Sequence, residues 1–194
     1  MVLPALPVRE GHFRLESGLH TDVWLTLDAL FVSPRDLAPL ITALAARLKA
    51  YTVSAVCGPL LGGAFLAQSL AATLGVDFYF SEPEATANPT GLFSAKYRVP
   101  IELRERMSGT RVALVDDVIS AGSSVRATAK AVTGAGASIV VLGTLLALGT
   151  VALDHFAGLG IPVEALERRE LSLWSPETCP LCQAGAALHN GGEA

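Results

Sequence analysis

The stretch Val112-Ala113-Leu114-Val115-Asp116-Asp117-Val118-Ile119-Ser120-Ala121-Gly122-Ser123-Ser124 runs from apolar residues through two adjacent acids into a loop of small residues and serines. Arg111 to Val115 is predicted as a buried strand, and Ser124 to Ala135 as the helix that follows the loop. A strand apolar on both faces belongs to a parallel sheet covered by helices. The surrounding sequence agrees. Short strands are predicted over Thr52–Cys57, Asp77–Phe80, Ser138–Leu148 and Pro162–Leu166, and a helix over Ala64–Leu74. Ser33-Pro34-Arg35-Asp36 is a helix start, with serine at the N-cap and proline at the first helical position. Leu37, Leu40, Ile41, Leu44 and Leu48 then recur at helical spacing. This alternation predicts one α/β domain with an open, mostly parallel, Rossmann-like sheet. His12–Ser17 and Asp22–Leu27 alternate weakly and are expected to form a small hood, within residues 1–32, outside that sheet. Residues 82–108 are the most polar stretch and are expected to be a mobile lid loop, with helical turns over Ile101–Met107. Residues 170–194 form a C-terminal appendage.

In sheets of this kind ligands sit at the carboxyl ends of the strands, where the opening stretch places Asp116 and Asp117. The free N–H groups at the start of the next helix, with the Ser120, Ser123 and Ser124 hydroxyls, make a phosphate site. Gly122 lets the backbone approach the anion. The two carboxylates repel that phosphate, so they must face something neutral or cationic, such as a diol or a metal-bound sugar. A site with an anion at one end and a diol at the other fits a ribose 5-phosphate. The absence of a Gly-Lys-Ser/Thr sequence after the glycines argues against a P-loop.

Composition narrows the class further. The chain has 194 residues, of which 51% are hydrophobic and only 16% charged. Mean hydropathy is +0.47. Ala50–Val76 and Ala131–Leu153 carry no charged residue, and each exceeds the roughly 20 residues a membrane span needs. Gly58-Pro59-Leu60-Leu61-Gly62-Gly63 interrupts the first, and Gly134, Gly136, Gly143 and Gly149 the second. Neither has an aromatic belt or a basic flank, so no membrane association is expected. With net charge −4 and no basic run, nucleic acid is not an expected partner. Met1–Glu10 lacks the features of a signal peptide. The three cysteines are no disulfide framework, which places the protein in the cytoplasm.

The opening stretch resembles the signature of type I phosphoribosyltransferases. Val56-Cys57-Gly58-Pro59-Leu60-Leu61-Gly62-Gly63-Ala64 is similar to that family's diphosphate loop, where an unusual peptide geometry occurs. Gly11-His12-Phe13-Arg14-Leu15-Glu16-Ser17-Gly18 resembles the opening of the orotate-specific members, where a hairpin covers the base. The resemblance implies the type I phosphoribosyltransferase fold, Mg²⁺, phosphoribosyl diphosphate and a nucleobase as ligands, and a homodimer. It implies ribose contacts and support of a cationic sugar by Asp116 and Asp117, and a 5-phosphate on Ser120, Ala121, Gly122, Ser123 and Ser124. Pro59, Leu60, Leu61, Gly62 and Gly63 would hold the diphosphate, and Phe13, Ser17 and Gly18 the base. Lys96 would serve as the lid's catalytic cation, with Arg98 beside the diphosphate.

Two positions depart from the orotate pattern. Where those enzymes carry Arg-Lys-x-x-Lys, this chain has Ser81-Glu82-Pro83-Glu84, and the arginine expected after the next strand is absent from Thr144–Leu148. Arg14 or Arg168 is left to meet an orotate carboxylate. The expected activity is phosphoribosyl transfer to orotate. Transfer to another base, or binding of phosphoribosyl diphosphate without turnover, remains open at this point. Cys179 and Cys182 make a C-x-x-C that could be half of a zinc site, with His189 nearby. His12, His20 and His155 are expected at the surface or at edges, and Trp24 and Trp174 as packing anchors.

Overall fold

The computed structural model describes residues 3, 7–25, 27–85 and 91–190. In chain order the main elements are β1 (Val8–Arg14), β2 (His20–Leu25), α1 (Pro34–Leu48), β3 (Ala55–Pro59), α2 (Gly62–Leu74) and β4 (Asp77–Pro83). They continue with β5 (Tyr97–Arg98), α3 (Ile101–Met107), β6 (Arg111–Ile119), α4 (Ser123–Gly134) and β7 (Ser138–Leu148). The chain ends with α5 (Val151–Gly158), β8 (Val163–Arg169), a short α6 (Pro180–Gln183) and β9 (His189–Asn190).

The apolar runs become a six-stranded sheet ordered β5-β4-β3-β6-β7-β8. All its pairs are parallel except β4–β5, where Glu82 faces Arg98 and Pro83 faces Tyr97. Side chains alternate between the faces, as a strand requires. Val56, Ala113 and Val115 pack on one side with Leu40, Leu44 and Leu48 of α1 and with Leu66 and Leu70 of α2. Ala55, Cys57 and Val112 pack on the other side with Met107 of α3 and Val132 of α4, and Leu114 and Leu142 pack there with Phe156 of α5. Burial of each such leucine or phenylalanine is worth about 1.5–3 kcal/mol. The charge-free windows are thus strands and helices of a two-faced core, and no described helix is long and apolar enough to cross a membrane. Ser33 caps α1, its Oγ accepting the Asp36 N–H at 3.4 Å.

The strand order has one reversal. From β3 the chain crosses through α2 to β4 on one side, and from β6 it crosses through α4 to β7 on the other. The connections diverge between β3 and β6, which opens a crevice at their carboxyl ends.

A second sheet, ordered β2-β1-β9, is the hood. His20 and Trp174 exchange backbone hydrogen bonds of 2.8 and 3.0 Å, and Phe13 and Arg14 pair with His189 and Asn190. The C-terminal appendage is therefore part of the hood. His12 and His20 are buried, 2% and 3% exposed, which corrects their expected surface placement. The register of β1 slips between Glu10 and Phe13, and this bulge turns two consecutive side chains, His12 and Phe13, inward.

Candidate active site

A cleft of about 280 Å³ lies at the β3/β6 reversal. It is floored by Pro59–Gly62 and by Asp116–Ser124, and walled by Leu15, Glu16, Ser17 and Trp24 of the hood. The two loops singled out in the sequence thus meet in one place. Strand β6 runs on to Ile119, so Asp116 and Asp117 belong to the strand rather than to a turn at its end.

The two loops approach as closely as glycine allows. A Cβ on Gly62 would stand 2.7 Å from an Asp117 carboxylate oxygen, and one on Gly63 would stand 2.6 Å from Asp116 Oδ1. At Gly58 it would lie 2.1 Å from the Gly63 carbonyl oxygen. The peptide between Leu60 and Leu61 is cis, in the loop where an unusual peptide was expected.

Both carboxyls are buried, at 7% exposure for Asp116 and 8% for Asp117. Ser124 Oγ donates to Asp116 Oδ2 at 2.8 Å, and the Asp117 N–H donates to Asp116 Oδ1 at 3.2 Å. Burial raises the Asp116 carboxyl well above the ordinary range, and the charge of Asp117 adds to the effect. Asp117 is raised as well, chiefly by burial. Among the described residues, no lysine or arginine lines this cleft.

At the other end of the floor, Gly122 takes φ +81° and precedes the first turn of α4, whose N-cap makes no side-chain hydrogen bond. A Cβ there would also stand 2.8 Å from Ala152 Cβ. The Ser123 hydroxyl is buried without a hydrogen-bond partner. An uncapped helix start beside an unsatisfied buried hydroxyl is a set of donors that suits an anion.

The other expected site residues divide. Ser17 lines the cleft, its Oγ accepting the Leu19 N–H at 3.2 Å. Phe13 does not: it is 3% exposed and packs between Trp24 and His189, with ring centroids 5.9 and 5.8 Å away. Gly18 serves the hairpin turn at φ +82° and is also off the wall. Lys96 and Arg14 line an adjoining hollow that shares Leu15, Glu16 and Trp24 with the cleft. Arg98 is held by Glu82 at 2.8 Å. Arg168 lines a separate hollow beside α5 and β8.

Trp24 and Glu16, not singled out as binding residues, stand on the walls of both spaces. Weak alternation in so short a strand could not tell the core face of Trp24 from a face turned to the cleft. The segment expected as a lid meets this wall. The Phe93 N–H donates to the Ser17 carbonyl at 2.8 Å, and Tyr97 Oη donates to Glu16 at 3.0 Å. The Arg126 guanidinium of α4 lies 4.2 Å from the centre of the Phe93 ring. Residues 86–90 of the expected lid lie outside the described residues.

Residues 35–155 match the family model described as phosphoribosyl transferase domain. An orotate phosphoribosyltransferase of Caldanaerobacter subterraneus is 30% identical over 93% of this chain and 88% of its own. One from Pelotomaculum thermopropionicum is 34% identical over 90% of this chain and 85% of its own. Among solved structures, orotate phosphoribosyltransferase from Aeropyrum pernix superposes with a TM-score of 0.64 at 22% identity, covering 83% of this chain and 87% of that one.

Proposed function

The chain belongs to the phosphoribosyltransferase family, and on that premise we propose that it moves ribose 5-phosphate from phosphoribosyl diphosphate to orotate, giving orotidine 5'-phosphate and pyrophosphate. One observation carries the reading. Two buried carboxyls and an uncapped helix start with a free buried hydroxyl share a single cleft at the sheet's reversal point. This is the polarity of a ribose 5-phosphate: diol at one end, phosphate at the other. The acceptor base comes from the orotate-specific relatives.

In the proposed reaction a base nitrogen attacks C1 of the ribose, and the bond from C1 to the diphosphate oxygen breaks with its electron pair leaving on pyrophosphate. Positive charge builds on the sugar. Asp116 and Asp117 face that charge and the ribose hydroxyls. A carboxyl accepts from a hydroxyl when ionised and donates to one when protonated, so the pair suits a diol in either state. The Ser120–Ser124 loop holds the 5-phosphate, and Pro59–Gly63 presents its backbone to the diphosphate. The carboxylates, with no described cation side chain on the wall, form a hard oxygen donor set that fits Mg²⁺. When bound, that ion neutralises the leaving diphosphate.

Ser17, Trp24 and Glu16 border the base position, and the lid over them keeps water from the reacting carbon. Arg14, in the adjoining hollow, would meet an orotate carboxylate, and Lys96, which lines the same hollow, would serve the closing lid. The cytoplasm and a homodimer belong to the same reading.

The test is pyrophosphate release by the purified protein with Mg²⁺, phosphoribosyl diphosphate and a panel of purine and pyrimidine bases. Release with orotate alone is expected. Release with a different base overturns the acceptor, and binding without release for any base overturns the enzyme.

A further inference from the structure

The hood holds a second group of chemically active side chains, remote in sequence from the reaction loops. His12 and His20 come from the β1–β2 hairpin, and Cys179 and Cys182 flank the start and body of α6. One ligand atom from each of the four lies within 4.8 Å of every other. His12 Nε2 is 3.0 Å from His20 Nδ1, 3.4 Å from Cys179 Sγ and 3.6 Å from Cys182 Sγ. Cys182 Sγ is 3.3 Å from His20 Nδ1. A tetrahedral ion with Zn–N and Zn–S bonds of about 2.0 and 2.3 Å sets its ligand atoms roughly 3.3–3.8 Å apart. These four separations match that figure, with the nitrogen pair slightly short.

Hydrogen bonding alone does not account for the arrangement. His12 Nδ1 lies 3.0 Å from the Ala186 carbonyl oxygen, which can only accept, so the ring proton sits on Nδ1. In the neutral ring His12 Nε2 is then a bare lone pair facing three heteroatoms at once, and one lone pair cannot be shared among three donors. A metal-bound histidine has this form, with one nitrogen on the ion and the other donating to a carbonyl that fixes tautomer and ring orientation. Three of the four residues are buried, Cys179 completely, and Cys182 is exposed; four protein ligands fill a tetrahedral shell and leave no open coordination position of the kind a catalytic site keeps.

We infer that His12, His20, Cys179 and Cys182 form a closed Cys₂His₂ site for a structural Zn²⁺ that clasps the C-terminal segment to the hood. Binding displaces one proton from each thiol. The two thiolate charges balance the dication, and a neutral cluster can be buried without an uncompensated charge. The C-x-x-C half was legible in the sequence, where His189 was the neighbour considered. His189 is instead exposed and pairs with Phe13 at the strand edge. The missing half is the histidine pair, which the β1 bulge turns inward. Because the same hairpin supplies Ser17 and Trp24 to the cleft wall, the clasp fixes the roof of the site from behind. The inference does not depend on which base the cleft accepts.

The test uses the untagged full chain purified with zinc in a reducing buffer. Elemental analysis is expected to give about one zinc per chain. After chelation and reconstitution with Co²⁺, the protein is expected to show the intense visible bands of a tetrahedral site and a near-ultraviolet thiolate-to-metal charge-transfer band. Zinc should protect Cys179 and Cys182 from alkylation. Cys57 stays unreactive either way, because burial pushes its thiol up to about 12. Loss of an outer partner alone weakens metal binding by about 10–100-fold, so Cys182→Ser and His20→Ala should each weaken it by at least that much. Substoichiometric zinc in the wild-type chain, a weak octahedral Co²⁺ spectrum, or equal alkylation with and without zinc would each overturn the site. The wild-type metal content and spectrum decide the matter even where a cysteine variant fails to fold.

Discussion

At the level of single residues the reaction cleft is built against stability. Asp117 is buried and its carboxyl is raised above the ordinary value of about 3.9. A raised carboxyl means that the folded chain keeps its proton to higher pH than the unfolded chain. Stability is then lost as pH rises from about 4 through the folded value, and the loss is complete above it. Asp117→Asn removes the penalty. The variant should match the wild type in stability below about pH 4 and exceed it at neutral pH. That gain reads as a higher melting temperature at neutral pH. The same variant should lose phosphoribosyl diphosphate affinity, read by calorimetry, and a melting temperature below that of the wild type at neutral pH would contradict the argument. Ser123 behaves alike for a different reason. Its buried hydroxyl lacks a partner, a defect worth about 1–3 kcal/mol. Ser123→Ala should hold or raise the melting temperature while weakening ribose 5-phosphate binding about 10-fold. Unchanged affinity would remove Ser123 from the phosphate site. These residues were legible in the sequence because helix starts and paired acids leave local patterns. Trp24 and Glu16 were not, because their role depends on which face of the hood turns toward the cleft.

At the level of elements the sequence located every long strand and helix of the main sheet, since an apolar run or a 3.6-residue period marks each one. It did not anticipate α5 or β5. The α5 segment Val151–Gly158 has an almost uniformly apolar start without clear periodicity, and β5 is two residues long and exists only through its pairing with β4. That pairing, with the Phe93 and Tyr97 contacts, docks the lid segment against the hood and α4. The contact between Phe93 and Arg126 is worth about 0.5–1 kcal/mol. If lid closure gates the site, Phe93→Ala should raise the KM for substrates about 2- to 5-fold, the same energy expressed as a population. It should also speed proteolysis within residues 84–98. Steady-state kinetics and a proteolysis time course together check this, and no change in either would leave the segment a static wall.

At the level of the whole molecule the crevice follows from topology: once the crossovers diverge between β3 and β6, the two reaction loops have nowhere else to meet. The hood is less determined by local sequence, because it joins residues near position 12 to residues near position 180, and only one half of that junction carried a recognisable spacing. Association between copies depends on the outer surface. Val32 and Leu61 are 84% and 63% exposed, and Phe65, at 46%, packs at a tilt against Phe31 with centroids 5.8 Å apart. Leu61 lies in the Pro59–Gly63 loop and Phe65 in the first turns of the helix that follows it, and exposed apolar clusters mark contact surfaces. A homodimer built on this face would cover Leu61 and steady the loop proposed to hold the diphosphate. Phe65→Glu buries no charge in the monomer, so the fold should survive, but a charge in the interface core costs association several kcal/mol. Sedimentation of the wild type as a dimer and of the variant as a monomer is expected, with weaker diphosphate binding in the variant. A dimer that tolerates the charge would place the interface on another face of the molecule.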